Sequence, residues 1–311
     1  MEFIRGLHNL KPEHRKCVAT IGNFDGVHTG HQAVIRQVIT QAQAMDLPSM
    51  LITFEPQPRE YFRPETSPPR LTKLREKLHA IKDCGVDRVL CLRFNEHLAG
   101  LTAAQFVKQV LVDGLDVKYL IIGDDFRFGQ GRAGDFEFLR QAGRQYGYGI
   151  ANTPSHMTDG LRVSSTRIRQ ALMAGNLEMV ELLLGRPYCM CGHVAHGDKR
   201  GRQIGFPTAN IYLHRHATPV KGVFAVRMHG LKEGAVNGVA NIGSRPTVNA
   251  GARILLEVHL FDFDRDIYGA HVDVCFLEKL RDEQRFASFD ALQAQIQRDV
   301  EKAHEIFQAD L

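Results

Sequence analysis

The sequence predicts an open α/β sheet followed by a small antiparallel β-barrel closed by one helix. Two rhythms and a break between them carry that prediction. From Lys16 to Leu184, short apolar runs alternate with longer helical patterns. After Tyr188 the apolar runs are short and β-like, and only one helical pattern follows them. Between the two halves, Gly185 and Pro187 stop a helix, which places the domain boundary so that 1–184 and 185–311 fold separately.

In the first half the order is strand, helix, strand, repeated. CVATIG (residues 17–22) precedes HQAVIRQVITQAQAM (31–45) and SMLITF (49–54), and later come DRVLCLRF (87–94), AAQFVKQVLV (103–112), KYLIIG (118–123) and DFEFLRQAGRQYG (135–147). Parallel neighbours need a connection of roughly a dozen residues or more, so this alternation means a parallel sheet with crossover helices, a Rossmann-like arrangement. RPETSPPR (63–70) reads as a proline-stiffened exposed loop. In the second half GVFAVRM (222–228), LLEVHLFDF (255–263) and HVDVCFL (271–277) are separated by Gly, Asn and Pro turns, as in an antiparallel barrel. The closing helix starts at Ser288 and Asp290, with Leu292, Ile296 and Val300 as its apolar stripe.

Composition narrows the function. With 44% apolar and 24% charged residues in 311, the chain is globular, and a net charge of +4 without dense basic blocks suits small anionic ligands better than nucleic acid. No apolar stretch approaches the ~20 residues of a membrane span, and the N-terminus lacks a signal-peptide apolar core, which predicts a cytoplasmic protein. The six cysteines (Cys17, Cys84, Cys91, Cys189, Cys191, Cys275) contain no Cys-x-x-Cys pair and read as reduced thiols; Cys189 and Cys191 alternate as in a strand. No His-Glu-x-x-His pair and no Gly-x-x-x-x-Gly-Lys-Ser/Thr loop is present.

Two stretches carry chemistry in the first half. GNFDGVHTGH (22–31) lies between a strand and a helix, where free backbone N–H groups and the helix dipole favour an anion. The same glycine-rich cluster is common in plain βα turns, but His28 and His31, three apart, can face one phosphate together. VSSTRIRQAL (163–172) puts three hydroxyls and two arginines at a helix start. Capping accounts for one or two of the hydroxyls; Arg167 and Arg169 oppose the dipole unless an anion lies there.

In the second half HGDKRGRQIGFPTAN (196–210) is rich in glycine and cations, like a solvated loop or a phosphate wrap. Thr208 and Asn210, two apart on an extended run, can offer oxygen ligands to a hard cation. In the strand Ile254–Leu260, Ile254, Leu256, Val258 and Leu260 alternate with Glu257 and His259, so Glu257 faces away from the apolar side, as an ordinary surface glutamate also would.

The pair GNFDGVHTGH and SSTRIR resembles the HxGH and SSTxIR signatures of the nucleotidyltransferase superfamily, and GDDFRFG (123–129) resembles its flavin branch. GFPTAN (205–210), KGVFAV (221–226), NIGSRPTV (241–248) and EVHLFDFDRDIYG (257–269), in that order, resemble riboflavin kinase. Together the halves resemble the prokaryotic bifunctional riboflavin kinase and FAD synthetase family. The resemblance implies that riboflavin and ATP give FMN in the second half, and FMN and ATP give FAD in the first, with Mg²⁺ as cofactor. It implies catalytic roles for His28, His31 and Glu257 and nucleotide contacts from Gly22, Asn23, Phe24, Gly30, Asp125, Ser164, Ser165, Thr166 and Arg169. It assigns Phe54, Pro56 and Phe128 to the flavin region of the adenylyltransferase, and Gly201, Arg202, Gly205, Phe206 and Pro207 to the kinase phosphate loop. It implies that Thr208 and Asn210 hold the metal, and it makes Arg281, Glu283, Arg285 and Phe286 candidate contacts that close over the kinase flavin. TFEPQPREYF (53–62) has Gln57 where the family often has His, which leaves that position open. Neither nucleic acid nor membrane is expected as a partner, and the expected state is a monomer or weak homo-oligomer. An adenylyltransferase for another phosphate lacks the second half, and a flavin-sensing regulator lacks the catalytic side chains.

Overall fold

In a computed structural model, every residue is described except 155, 159, 197–205, 216, 233, 248–250 and 310–311, together with the side chains of 244–247 and 251–253. The chain packs as two compact units: Met1–Pro68 with Thr72–Ser164, and Pro69–Leu71 with Ser165–Leu311.

The first unit is the parallel sheet that the alternation predicts. Its strands are β1 (Glu2–Arg5), β2 (Val18–Ile21), β3 (Ser49–Glu55), β4 (Arg88–Arg93), β5 (Tyr119–Gly123) and β6 (Gly149–Thr153). They lie side by side in the order β1-β4-β3-β2-β5-β6, and each of the five pairings is parallel. Crossovers are made by α1 (Thr29–Met45), α2 (Pro58–Phe62), α3 (Leu74–Asp83), α4 (Glu96–Gly100), α5 (Ala103–Phe106) and α6 (Phe136–Tyr146). Both faces of β2 and β3 are buried, as parallel strands covered by helices require. On one face Met50, Ile52, Leu90, Leu120 and Leu139 belong to the main core; on the other Ile35, Leu51, Ile81 and Val89 form a second. A short hairpin, β7 (Met157–Thr158) with β8 (Leu161–Arg162), ends the unit.

The second unit begins with α7 (Ser165–Ala174) and α8 (Leu177–Leu184). It continues into a closed barrel of β9 (Tyr188–Ala195), β10 (Ala209–Tyr212), β11 (Gly222–Leu231), β12 (Gly234–Thr247), β13 (Gly251–Leu260) and β14 (His271–Arg281). The strand order around the barrel is β10-β13-β12-β11-β14-β9, with antiparallel pairing throughout. The packing division therefore falls before α7, whereas the sequence places the break at 184/185. The reason is that α8 lies against β9 and β14, so both short helices pack with the barrel that follows them.

One expectation is corrected. Cys189 and Cys275, directly opposite one another on β9 and β14, are joined in a disulfide with Cα atoms 4.0 Å apart; Cys17, Cys84, Cys91 and Cys191 stay outside any disulfide. Pairing of two distant strands brings those two sulfurs together, and sequence spacing contains no trace of it. The closing helix α9 (Phe289–Ala309) has Ser288 as its cap, its hydroxyl accepting from Ala291 N–H at 3.2 Å. Its deepest positions are Asp299, Ala303 and Phe307, while Leu292, Ile296 and Val300 are half-buried. An acid occupies the seam because Arg281 of β14 meets it there. The Arg281 Nε donates to both Asp299 oxygens at 3.0 Å, its Nη2 donates at 2.8 Å, and Gln295 adds a bond at 2.9 Å.

Candidate functional site

In the first unit the sheet order reverses at β2: β3 lies on one side and β5 on the other. Ligands of open α/β sheets bind outside the carboxyl ends of the strands at such a switch point. The loop after β2 (residues 22–28) and the loop after β5 (residues 124–129) both open there. Phe24, Gly26 and Val27 take φ of 49°, 87° and 44°. Two of these are left-handed conformations in non-glycine residues, which cost roughly 1–3 kcal/mol each and persist only where neighbours impose them. Neighbours do impose them. Gly22 N–H donates to Ile52 O of β3 at 3.0 Å, and Gln32 Nε2 donates to Val27 O at 3.0 Å.

This loop delivers His28 as the N-cap of α1. Its Nδ1 accepts the His31 N–H at 3.2 Å, which leaves Nε2 to carry the proton of the neutral ring. One turn on, the His31 ring stacks on His28 with centroids 3.6 Å apart and planes at 14°. Phe24 tilts against His31 at 5.1 Å. A Cβ on Gly30 would sit 3.2 Å from His28 Nδ1, so the glycine admits the paired rings. Burial, then the neighbouring His28, then Lys77 of α3 hold the His31 pKa well below its usual value, so the ring is neutral at physiological pH. Lys77, fully buried, was not singled out from the sequence.

After β5, Asp125 pairs with Arg162 of the hairpin at 2.6 Å, and Asp124 lies 3.7 Å from the same guanidinium. Phe128 is 8% exposed and packs against Phe106, Phe126 and Phe138. Beyond β3, Phe54 meets Phe94 at 5.9 Å, and Phe94 meets Tyr61 and Phe62 at 5.4 and 5.6 Å. Phe62, 62% exposed, was missed from the sequence; a large aromatic at the exposed end of a buried cluster is visible only in three dimensions. Gln57 caps the short helix α2 and is 8% exposed, and its Nε2 has no hydrogen-bond partner among the described residues. Ser164 ends the first unit, and Ser165, Thr166, Arg167 and Arg169 form the first turns of α7 in the second. Arg169 Nε donates to Pro69 O at 2.6 Å.

In the barrel, strand register builds the second site. Asn210 of β10 lies opposite Glu257 of β13, and on the other side Asn241 of β12 lies opposite Glu257. Side chains directly opposed across an antiparallel pair have Cβ atoms roughly 4.5–5.5 Å apart. The two residues expected to hold a metal and to act as base are thus immediate neighbours, although 47 positions separate them in the chain. Asn241 completes the row and was not singled out from the sequence. Thr208 stands just before β10 and lines a cavity of about 540 Å³ together with Pro207, Val258, Leu260 and Tyr268. His259, two residues after Glu257 on the same face, is within 2.9 Å of Pro207 O through Nδ1, and Phe206 packs edge-on against its ring. Gly201, Arg202 and Gly205 lie outside the described residues.

The Arg281 guanidinium is occupied by Asp299 and lies over the Phe286 ring at 5.7 Å. It anchors α9 and positions the lead-in that carries Glu283, Arg285 and Phe286. Glu283 reaches back to β12, where a Cβ on Gly243 would collide with its carboxylate. Among the described residues no group of three or more His, Cys, Asp or Glu side chains is placed to hold a metal ion. No helix among them is long and apolar enough to cross a membrane.

A nucleotide-binding α/β unit joined to a barrel with an oxygen-rich strand site defines a two-site nucleotide enzyme. Residues 10–167 match the FAD synthetase family and residues 184–307 the riboflavin kinase family. The chain belongs to the bifunctional riboflavin kinase/FMN adenylyltransferases. It is 53% identical to the protein of that description from Escherichia coli K12 across 99% of this chain and 98% of the relative. It is 52% identical to that of Pseudomonas fluorescens across 97% of each. A Streptococcus pneumoniae crystal structure described as a macrolide-efflux protein covers 96% of this chain and 97% of its own with a TM-score of 0.81 at 31% identity.

Proposed function

We propose that the chain phosphorylates riboflavin to FMN at the Glu257 site, releasing ADP, and adenylylates FMN to FAD at the His28–His31 loop, releasing pyrophosphate. Two activities on one chain follow from the family; the assignment of residues to each step is the reading advanced here. Its main support is the register that sets Asn210, Glu257 and Asn241 side by side.

For the kinase step, the Glu257 carboxylate accepts the proton of the ribityl 5′-hydroxyl as that oxygen attacks the γ-phosphorus of ATP. A loose transition state lets the proton leave late, so position matters more than basicity. Thr208 and Asn210 offer a hydroxyl and an amide oxygen, the donors a hard divalent cation takes, and the absence of an acidic cluster among the described residues suits an ion held largely by ATP itself. Mg²⁺ bound there would offset phosphate charge. Gly201, Arg202, Gly205, Phe206 and Pro207 wrap the phosphates, and Glu283, Arg285 and Phe286 close over the flavin, with Arg281 holding their segment in place.

For the transferase step, the FMN phosphate attacks the α-phosphorus of ATP and pyrophosphate departs. Gly22, Asn23, Phe24 and Gly30 let the nucleotide approach the backbone, and the paired imidazoles donate hydrogen bonds to phosphate oxygens. A neutral His31 can do this without the cost of a buried charge. Ser164, Ser165, Thr166 and Arg169 bind the ATP phosphates and Asp125 the nucleoside. Phe54, Pro56 and Phe128 support the flavin, with Phe62 as its exposed aromatic surface. Cytoplasmic location and a monomer or weak homo-oligomer belong to the same proposal.

Incubation with riboflavin, ATP and Mg²⁺, followed by chromatography, is expected to yield FMN and then FAD, and excess chelator is expected to abolish both products. FMN formation undiminished in chelator would remove Thr208 and Asn210 from metal binding.

A further inference from the structure

The strained loop that carries His28 takes two supports from its sequence neighbours, β3 and α1. A third comes from far along the chain. Thr72, the residue before the capping residue Lys73 of α3, is 5% exposed and turned onto the loop. Its Oγ1 accepts the Gly26 N–H at 2.9 Å. Its own N–H donates to Asp25 Oδ1 at 3.0 Å, and its hydroxyl donates to the same oxygen at 3.3 Å. Asp25 is 3% exposed, so the cluster is sealed from water. One hydroxyl thus both accepts from and donates to consecutive loop residues at the point where φ turns positive.

We propose that Thr72 is a positioning residue for adenylyl transfer. It clamps Asp25 and Gly26 so that the left-handed turn at Gly26 and Val27 presents His28 and, through it, His31 in their stacked geometry. The inference rests on the reading of this loop as the adenylyltransferase site. Thr72 touches no substrate; it acts through the loop. Its hydroxyl matters and its methyl does not, because both side-chain bonds to the loop run through Oγ1. An isosteric valine keeps the shape, leaves the buried Gly26 N–H without its acceptor and lets the loop relax from its strained conformation.

The test is steady-state kinetics of FAD formation from FMN and ATP by the full chain carrying Thr72→Val, Thr72→Ser or His28→Ala. Misplacement of a catalytic group by about an ångström costs on the order of a hundredfold, so Thr72→Val is expected to lower kcat by about tenfold to a hundredfold with KM for FMN nearly unchanged. Thr72→Ser, which keeps the hydroxyl, is expected to restore kcat, and hydrogen exchange at residues 22–28 is expected to quicken in Thr72→Val alone. Wild-type kcat in Thr72→Val, or a serine variant as impaired as the valine one, overturns the role. If His28→Ala also leaves FAD formation intact, the reading of the loop itself fails; if His28→Ala abolishes it while Thr72→Val does not, only the clamp fails.

Discussion

The two sites are assembled in opposite ways. In the α/β unit the candidate histidine pair lies in one stretch of ten consecutive positions, 22–31, and a strained backbone aims it. In the barrel, Asn210, Asn241 and Glu257 come from three strands, and each strand is ordinary; register brings this candidate row together. A contiguous loop is sensitive to whatever supports its backbone. A register-built site is protected by the whole hydrogen-bonded ladder and fails only when a side chain in the row is changed. The difference predicts that the two activities can be broken one at a time.

The largest effect is expected from the imidazole pair. Replacing His28 and His31 together by alanine removes two hydrogen-bond donors from a developing charge, each worth on the order of 10²-fold or more. FAD formation from FMN should therefore fall at least about 10³-fold while riboflavin phosphorylation, assayed in the same preparation, stays within about twofold. Equal loss of both rates would abolish the distinction between the sites.

A smaller effect, on stability, is expected at the seam between β14 and α9. Asp299→Ala leaves the Arg281 guanidinium, 19% exposed, without its carboxylate; breaking such a pair costs about 3–5 kcal/mol. Thermal unfolding of the barrel should shift down markedly, with the first-unit transition unmoved. Replacing both partners by apolar residues should recover most of the loss. A double variant no better than the single one would show that the pair is not what Asp299 is buried for.

The smallest effect concerns the His31 charge. Its folded pKa is depressed by burial, His28 and Lys77. Above the unfolded value of 6.5 both states are neutral and the ring has no effect on stability. As pH falls below 6.5, the unfolded chain takes up a proton that folded His31 refuses, and stability declines until the folded pKa is reached. NMR titration should show the His31 resonances in their neutral position through pH 6.5, and Lys77→Met should move the midpoint upward. A midpoint at or above 6.5 in the unmodified protein would contradict the burial argument.

Much of this was legible in the sequence because it is local. Alternating apolar runs gave the parallel sheet, period-two runs gave the barrel strands, and a capped apolar stripe gave α9. GNFDGVHTGH contains its own chemistry, so His28 and His31 stood out. Three things did not stand out, and each depends on which distant segments meet. Asn241 lies beside Glu257 only because β12 pairs with β13. Thr72 precedes a helix and looks like any residue there. Cys189 and Cys275 are 86 positions apart and bond because β9 and β14 are neighbours. Asp299 depends on a distant segment in the same way: its burial is explained only by Arg281 of β14 beside it.

If two separate sites act on ATP, the Glu257→Ala variant separates them. Fed riboflavin, ATP and Mg²⁺, it should make neither FMN nor FAD; fed FMN in place of riboflavin, it should make FAD at the wild-type rate. FMN appearing from riboflavin, or no FAD appearing from FMN, would contradict the account.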